Sequence, residues 1–284
     1  MSSNAPAVRR PPLGARLSRL ALPAFTTLAV LYLFLPIAVM IAFSFNDPRG
    51  RQNITWQGFT IENYLDVWSR PDITGPMTTS LVVAVVATIL STVLGTLIGL
   101  ALTRYRFRGR DPVNLLIYIP MATPEVILGA SLLSLWVTAG VQRGLGTIIV
   151  AHVLFNISFV VVTVRARIAG FNRSLEEAAM DLGADEFTTF RKVTLPLIFP
   201  GILAAALLAF ALSIDDYVVT LFVAGQETTF PLWVFGASRF GVPPEVNVLG
   251  TLIFVVAFVL IVAQILWARR RQGVEAALVR EGTS

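Results

Sequence analysis

Long uninterrupted apolar runs, rather than alternation, dominate the pattern along this chain. Charge-free stretches occupy 20–46, 73–103, 112–142 (broken only by Glu125), 144–164, 193–214 and 246–268. Each holds the roughly 20 mostly apolar residues that a helix needs to cross a bilayer. The second span is expected to begin near Thr79, and the fifth to continue past Asp215 and Asp216 to Val223. The pattern predicts an all-α, polytopic membrane protein with six transmembrane helices and both termini on one side. The expected layout is a tail over 1–23, a first helix over 24–46, and an outer loop over 47–78. A five-helix core over 79–268, interrupted by a polar loop at 165–196, and a tail over 269–284 complete it. The first run is too long for a signal peptide, and no small-x-small cleavage site follows it.

Composition narrows the class. The 284 residues are 55% hydrophobic and 14% charged, whereas soluble domains average about 25% charged residues. There is no cysteine, hence no disulfide framework and no thiolate metal site, and the single histidine, His152, leaves nothing for a zinc cluster. The one lysine, Lys192, follows Arg191, so the chain has no G-x-x-x-x-G-K-[ST] phosphate loop. If ATP drives this protein, the ATPase is another polypeptide. No G-x-S-x-G, H-E-x-x-H or G-x-G-x-x-G is present either, which argues against an enzyme.

Charge sets the orientation. Arg9, Arg10, Arg16 and Arg19 lie before the first span, and Arg104, Arg106, Arg108 and Arg110 between the second and third. Arg165, Arg167, Arg173, Arg191 and Lys192 lie in the 165–196 loop, and Arg269, Arg270, Arg271 and Arg280 after the last span. The opposite side has only Arg49, Arg51, Arg70, Arg143 and Arg239. The richer side is expected to be cytoplasmic, with both termini there. This asymmetry accounts for the isoelectric point near 10.2 without a nucleic-acid role.

The 165–196 loop is too polar to span and too patterned to be a linker. Ser174-Leu175-Glu176-Glu177 predicts a capping box, with Ser174 and Glu177 bonding each other's backbone amides. Leu175, Ala178, Ala179 and Leu182 share a helix face. Gly183 permits the positive φ that ends such a helix. Asp185 is expected to cap a second short helix through Arg191, with Pro196 starting the next span. From the residues alone, the apolar face suits either the protein's own bundle or a close approach by another backbone.

Glu177-Ala178-Ala179, then Gly183, then Val193 and Leu195-Pro196, resemble the EAA signature of ATP-binding-cassette importer permeases. Val193 stands where isoleucine is usual. The resemblance implies a type I importer permease fold in a bacterial inner membrane. It also implies that this loop docks on a nucleotide-binding subunit, through Glu177, Ala178, Ala179, Asp181, Gly183, Leu195 and Pro196. Implied partners are a second permease subunit, two ATPase subunits carrying ATP-Mg, a periplasmic substrate-binding protein and membrane lipid. No cofactor is expected on this chain.

Glu125, Asp215 and Asp216 are the only acids within spans, and ionised Asp at the centre of a membrane helix costs at least about 2.5 kcal/mol. No arginine or lysine lies in the spans to neutralise them. Protonation, hydrogen bonding, hydration in a cavity, another subunit or a cationic substrate must compensate. Asp215 and Asp216 fall in the outer half of the fifth span. On a continuous helix they point about 100° apart, one toward a pathway and the other toward a neighbouring helix. Thr123-Pro124 predicts an N-cap and first-turn proline before Glu125, with the third span kinked or broken there.

The segments 123–129, 213–219 and 244–249 resemble those of spermidine/putrescine importer permeases. That resemblance implies a polyamine pathway through Glu125, Asp215 and Asp216, with Tyr217 and Trp233 offering aromatic faces to the amines. An importer of iron or an opine shares the permease type. A proton-coupled carrier using Glu125, His152 and Asp215 is the remaining alternative. His152, with Asn156 one turn later, reads as a polar contact between helices. Gly95 and Gly99 form a G-x-x-x-G suited to close helix packing. Trp56, Tyr64, Trp68, Trp233 and Phe235 in the outer segments read as interfacial aromatics.

Overall fold

The computed structural model describes residues 13–50, 52–239 and 241–281, with side chains placed over 21–50, 52–239 and 241–266. Residues 1–12 of the expected tail over 1–23, and 282–284 of that over 269–284, lie outside the described residues. Twelve α-helices follow in order among the described residues. They are α1 (Leu13–Ser44), α2 (Glu62–Asp66), α3 (Pro71–Arg104), α4 (Arg110–Ala122), α5 (Glu125–Thr138) and α6 (Leu145–Ala169). Then come α7 (Ser174–Asp181), α8 (Glu186–Thr189), α9 (Leu195–Ile214), α10 (Val218–Val223), α11 (Phe230–Ser238) and α12 (Pro244–Glu281). Five helical stretches are long and apolar enough to cross a bilayer, and the bent pair α4–α5 makes six. The chain divides into two compact units, residues 1–66 with 241–264, and residues 67–240 with 265–284.

In the first unit α1 leaves most of its apolar side chains between 21 and 39 exposed, Leu28, Tyr32 and Leu33 among them. Such a helix is stable only where lipid or other apolar surface replaces water. Behind it the chain ties a polar knot. Asn46 Nδ2 donates to Asn53 Oδ1 (2.6 Å) and to the Thr55 carbonyl (2.8 Å), while Asn53 Nδ2 donates to the Phe43 carbonyl (2.7 Å). Both asparagines are buried, and these bonds offset their loss of water. Phe45 stacks between Phe59 and Tyr64 above them. The backbone of α12 continues to Glu281, beyond the expected end of the span at 268.

The second unit is built on α3, α6 and α9, which pack on one another. Small residues set that spacing. A Cβ on Gly95 lies 2.6 Å from Val160 Cγ1, so only glycine lets α3 approach α6 at this level. The G-x-x-x-G thus serves packing within the chain. α3 begins at Pro71, about two turns before the expected Thr79, and proline at its start needs no amide partner.

Three local predictions are corrected. Thr123 does not cap α5: it ends α4, its hydroxyl donating back to the Ile119 carbonyl at 2.7 Å, while Pro124 occupies the cap position. The break itself is present, with α4 and α5 meeting at 109°. Secondly, Ser174 and Glu177 form no capping box. Arg173 is already helical, and Asn172 Oδ1 accepts from the Ser174 amide at 3.1 Å, so an upstream Asx turn opens α7. Thirdly, the fifth span is not continuous to Val223. α9 stops at Ile214, and α10 restarts at Val218. At its other end the helical stretch that contains α9 is longer than expected, reaching back to Glu186. Asp185 caps α8 through the Thr188 amide (3.2 Å), and one π turn (Phe190–Thr194) joins α8 to α9 without a loop. The widened turn lies just before Pro196, whose missing N–H frees a carbonyl of the preceding turn.

Candidate functional site

The break between α9 and α10 has a chemical cause. Asp216 turns its carboxylate back onto the first turn of α10, accepting from the Thr220 amide (2.8 Å), the Val219 amide (3.3 Å) and the Thr220 hydroxyl (2.6 Å). A short acidic side chain bonded to its own downstream backbone competes with helix continuation. Asp215 and Asp216 therefore sit in irregular backbone rather than 100° apart on a helix. Irregular backbone at membrane depth is tolerated where it is buried in protein or lines a water-filled cavity.

Across from the break, α6 presents a column of buried polar groups. Thr147 donates to the Val223 carbonyl at 2.8 Å, and Asn156 Nδ2 donates to Ser213 Oγ at 2.8 Å. Between them His152 Nε2 lies 2.9 Å from Thr220 Oγ1 and 3.3 Å from Asp216 Oδ2. The Thr220 hydroxyl has one proton, and it points to Asp216. Its oxygen then accepts from His152, which places the imidazole proton on Nε2. His152 Nδ1 is buried without a hydrogen-bond partner. His152 is thus an interhelical contact, as expected, but not a solitary one, because Asp216 faces it. Among the described residues no arginine or lysine reaches Asp216, and the pairing with His152 was not foreseen from the sequence.

The two neighbouring acids differ. Asp216 is largely enclosed by α6 and α10, while Asp215 is exposed. Glu125, also exposed at the start of α5, lies within electrostatic range of Asp215. α5 is held against α10 by Gly129, where a Cβ falls 2.5 Å from the Phe222 ring. The structure thus gathers all three acids at two helix breaks. Tyr217 packs its ring on Phe235 of α11 at 4.6 Å, and Arg239 sits over the same Phe235 ring. Trp233 stacks on Phe230 within α11. Among the described residues no cluster suited to a metal ion occurs.

The 165–196 loop forms a second locus. α7 ends in a Schellman motif: Gly183, at φ +89°, donates to the Met180 carbonyl (2.9 Å), and Ala184 donates to the Ala179 carbonyl (3.1 Å). Leu175 is exposed and Leu182 is 90% exposed, so the apolar face does not lie on the bundle of its own unit. Glu177, Ala178, Asp181 and Gly183 are exposed as well, and Ala179 half-buried. Leu195 and Pro196 open α9. The buried side chain of α7 is instead Glu176, bonded to Arg104 of α3 and Thr194 of the π turn. Sequence reasoning missed Glu176, Arg104 and Thr220. The Asp216-x-x-x-Thr220 spacing was a usable signal, whereas nothing marked Glu176 as buried.

Residues 91–273 match the family described as binding-protein-dependent transport system inner membrane component. The chain belongs to this family. The spermidine/putrescine transport system permease protein PotC of Escherichia coli (strain K12) is 39% identical over 254 residues, covering 89% of this chain and 96% of that one. The putrescine transport system permease protein PotI of the same strain is 38% identical over 230 residues, covering 78% and 81%. Among solved structures, a bacterial ABC transporter importing the acidic polysaccharide alginate superposes with a TM-score of 0.63 at 16% identity, covering 92% of this chain and 99% of that chain. The MetNI methionine ABC transporter gives 0.59 at 20%, covering 70% and 95%.

The fold is therefore that of a type I ABC importer permease, as the EAA resemblance implied. This family member is an inner-membrane transport component rather than an enzyme, and the proton-coupled carrier falls away. Family membership implies a partner permease, ATPase subunits and a substrate-binding protein.

Proposed function

We propose that this chain forms half of the translocation pathway of an ATP-driven polyamine importer, with Asp215 and Glu125 facing the cationic cargo. The observation that carries this reading is the division of labour at the α9–α10 break. Asp216 is engaged by His152 and Thr220, whereas Asp215 is exposed beside Glu125 with no lysine or arginine partner among the described residues. A di- or polyamine supplies the missing positive charge, and an aromatic face such as Tyr217 suits its methylene and ammonium groups. The relatives named for spermidine and putrescine support the same cargo.

Two ATPase subunits bind ATP-Mg, and one of them docks on α7, on the cytoplasmic side that carries most of the arginines. Glu177, Ala178, Ala179, Asp181 and Gly183 form the docking surface, with Leu195 and Pro196 at the foot of α9. The outward apolar face of α7 suits a cleft on another protein. A second permease completes the pathway, and a periplasmic binding protein delivers the cargo. The test is uptake of labelled putrescine and spermidine by the reconstituted complex. ATP-dependent accumulation of either is expected. Absence of both, with another solute accumulating, overturns the polyamine assignment.

A further inference from the structure

We propose that Glu176 is the positioning residue that couples α7 to the membrane helices, by tying the docking helix to α3 and α9 at once. This inference rests on the docking role proposed for α7. The arrangement inverts ordinary amphipathicity. α7 turns Leu175 and Leu182 outward and buries a carboxylate, with the Glu176 side chain only 6% exposed. A buried carboxylate is tolerated only when its oxygens are bonded and its charge is matched. Here one oxygen, Oε1, accepts from both Arg104 Nη2 and Thr194 Oγ1.

The two donors belong to different spans. Arg104 is the last residue of α3, where a cation also complements the carbonyl end of the helix. Thr194 is fully buried and closes the π turn that leads into α9. From there the helix runs without a break to Ile214, next to Asp215. α3 packs on α6 through Gly95, and α6 holds Asp216 through His152. Movement of α7 therefore reaches both sides of the acidic break through one side chain. The neighbouring ties reinforce the same body: Arg167 donates twice to the Leu197 carbonyl (3.1 and 3.0 Å), and Arg165 donates to Asn114 Oδ1 at 2.7 Å.

A purely local role, shaping the loop, makes a different forecast. It predicts that removing Glu176 weakens docking of the ATPase. The linkage predicts that docking and ATP hydrolysis persist while solute moved per ATP falls. The experiment uses the complete complex in proteoliposomes, with Glu176→Ala, Glu176→Gln, Thr194→Val and the Glu176→Ala/Thr194→Val pair. Copurification of the ATPase, ATP turnover and import are measured on the same preparations.

Glu176→Ala should lower import per ATP by about tenfold, within the span of ordinary coupling energies. Glu176→Gln, which keeps the shape and an acceptor oxygen, should lose less and guards against a variant that fails to fold. Thr194→Val should add little on the Glu176→Ala background, because both remove the same tie. An unchanged ratio in Glu176→Ala and Glu176→Gln, or loss of ATPase copurification in both, overturns the inference. Ala179→Trp tests the underlying reading separately: normal ATPase binding and import in that variant dismisses α7 as the docking helix, whatever Glu176 does.

Discussion

Removing each carboxylate of the Asp215-Asp216 pair separately should give opposite phenotypes. Asp216→Ala strips the cap from α10 and leaves the Thr220 hydroxyl, which is fully buried, without its acceptor. Loss of a capping side chain costs about 1 kcal/mol. An orphaned buried hydroxyl costs about 1–3 kcal/mol more. His152 also loses its acidic neighbour at 3.3 Å. The sum is about 3 kcal/mol of local stability, concentrated at the α6–α10 contact. Asp215→Ala removes an exposed side chain with no such partners, and surface changes of that kind usually stay within about 0.5 kcal/mol. It should instead weaken cargo affinity by about tenfold or more, the equivalent of about 1.4 kcal/mol. Detergent-solubilised thermal unfolding reads the first quantity. Concentration-dependent uptake in the reconstituted complex reads the second. Equal thermal stability in the two variants, or normal uptake in Asp215→Ala, refutes the division of labour. Asp216→Asn, which keeps one acceptor oxygen, should fall between wild type and Asp216→Ala in stability.

Further outcomes test other parts of the structure. Gly95→Leu should prevent stable accumulation in the membrane, because even the first added carbon meets Val160, and overpacking costs about 1–3 kcal/mol or more; membrane-fraction yield measures it. Gly183→Pro should insert normally yet uncouple import from ATP, since it removes the amide that closes the Schellman motif; normal import in the variant counts against the assignment. Hydrogen bonds from the Thr188 hydroxyl and then from its amide hold the Asp185 carboxyl below the ordinary aspartate range. Its contribution to the start of α8 is thus complete at neutral pH and disappears as pH falls through that lowered value. The protection factor of the Thr188 amide, taken against its intrinsic exchange rate at each pH, should fall on acidification, and Asp185→Ala should abolish that fall. Reporter fusions at the C-terminus should be active on the cytoplasmic side only; a periplasmic signal reverses the proposed orientation.

The spans were legible because each stretch of apolar residues is far longer than a soluble core helix requires, and Pro124 announced the bend between α4 and α5. Gly183 was legible for a similar reason: an apolar helical face that stops at glycine has few other readings. What escaped were polar contacts made between distant segments. Asp216 stood out as a costly acid, but its hold on Thr220 and His152 was hidden because it depends on α6 lying opposite. Glu176 looked like solvated helix surface beside Glu177, and only the convergence of Arg104 and Thr194 makes it the enclosed one. The Ser174 cap failed because Asn172 reached the helix start first. The acids themselves were identified by their cost in hydrocarbon, but which of them remains open to a ligand is decided by backbone geometry.

The uninterrupted helical stretch Glu186–Ile214 has 29 residues, which at about 1.5 Å per residue makes a rod of roughly 43 Å. Pivoted near its foot, such a rod acts as a lever arm. An angular change of about 5° at the base sweeps its tip, and the acidic break just beyond, through roughly 4 Å. A displacement of that size exceeds the diameter of an ammonium group. If the proposed pathway runs past the acidic break, modest rocking at the base would suffice to open or shut it without any helix unwinding.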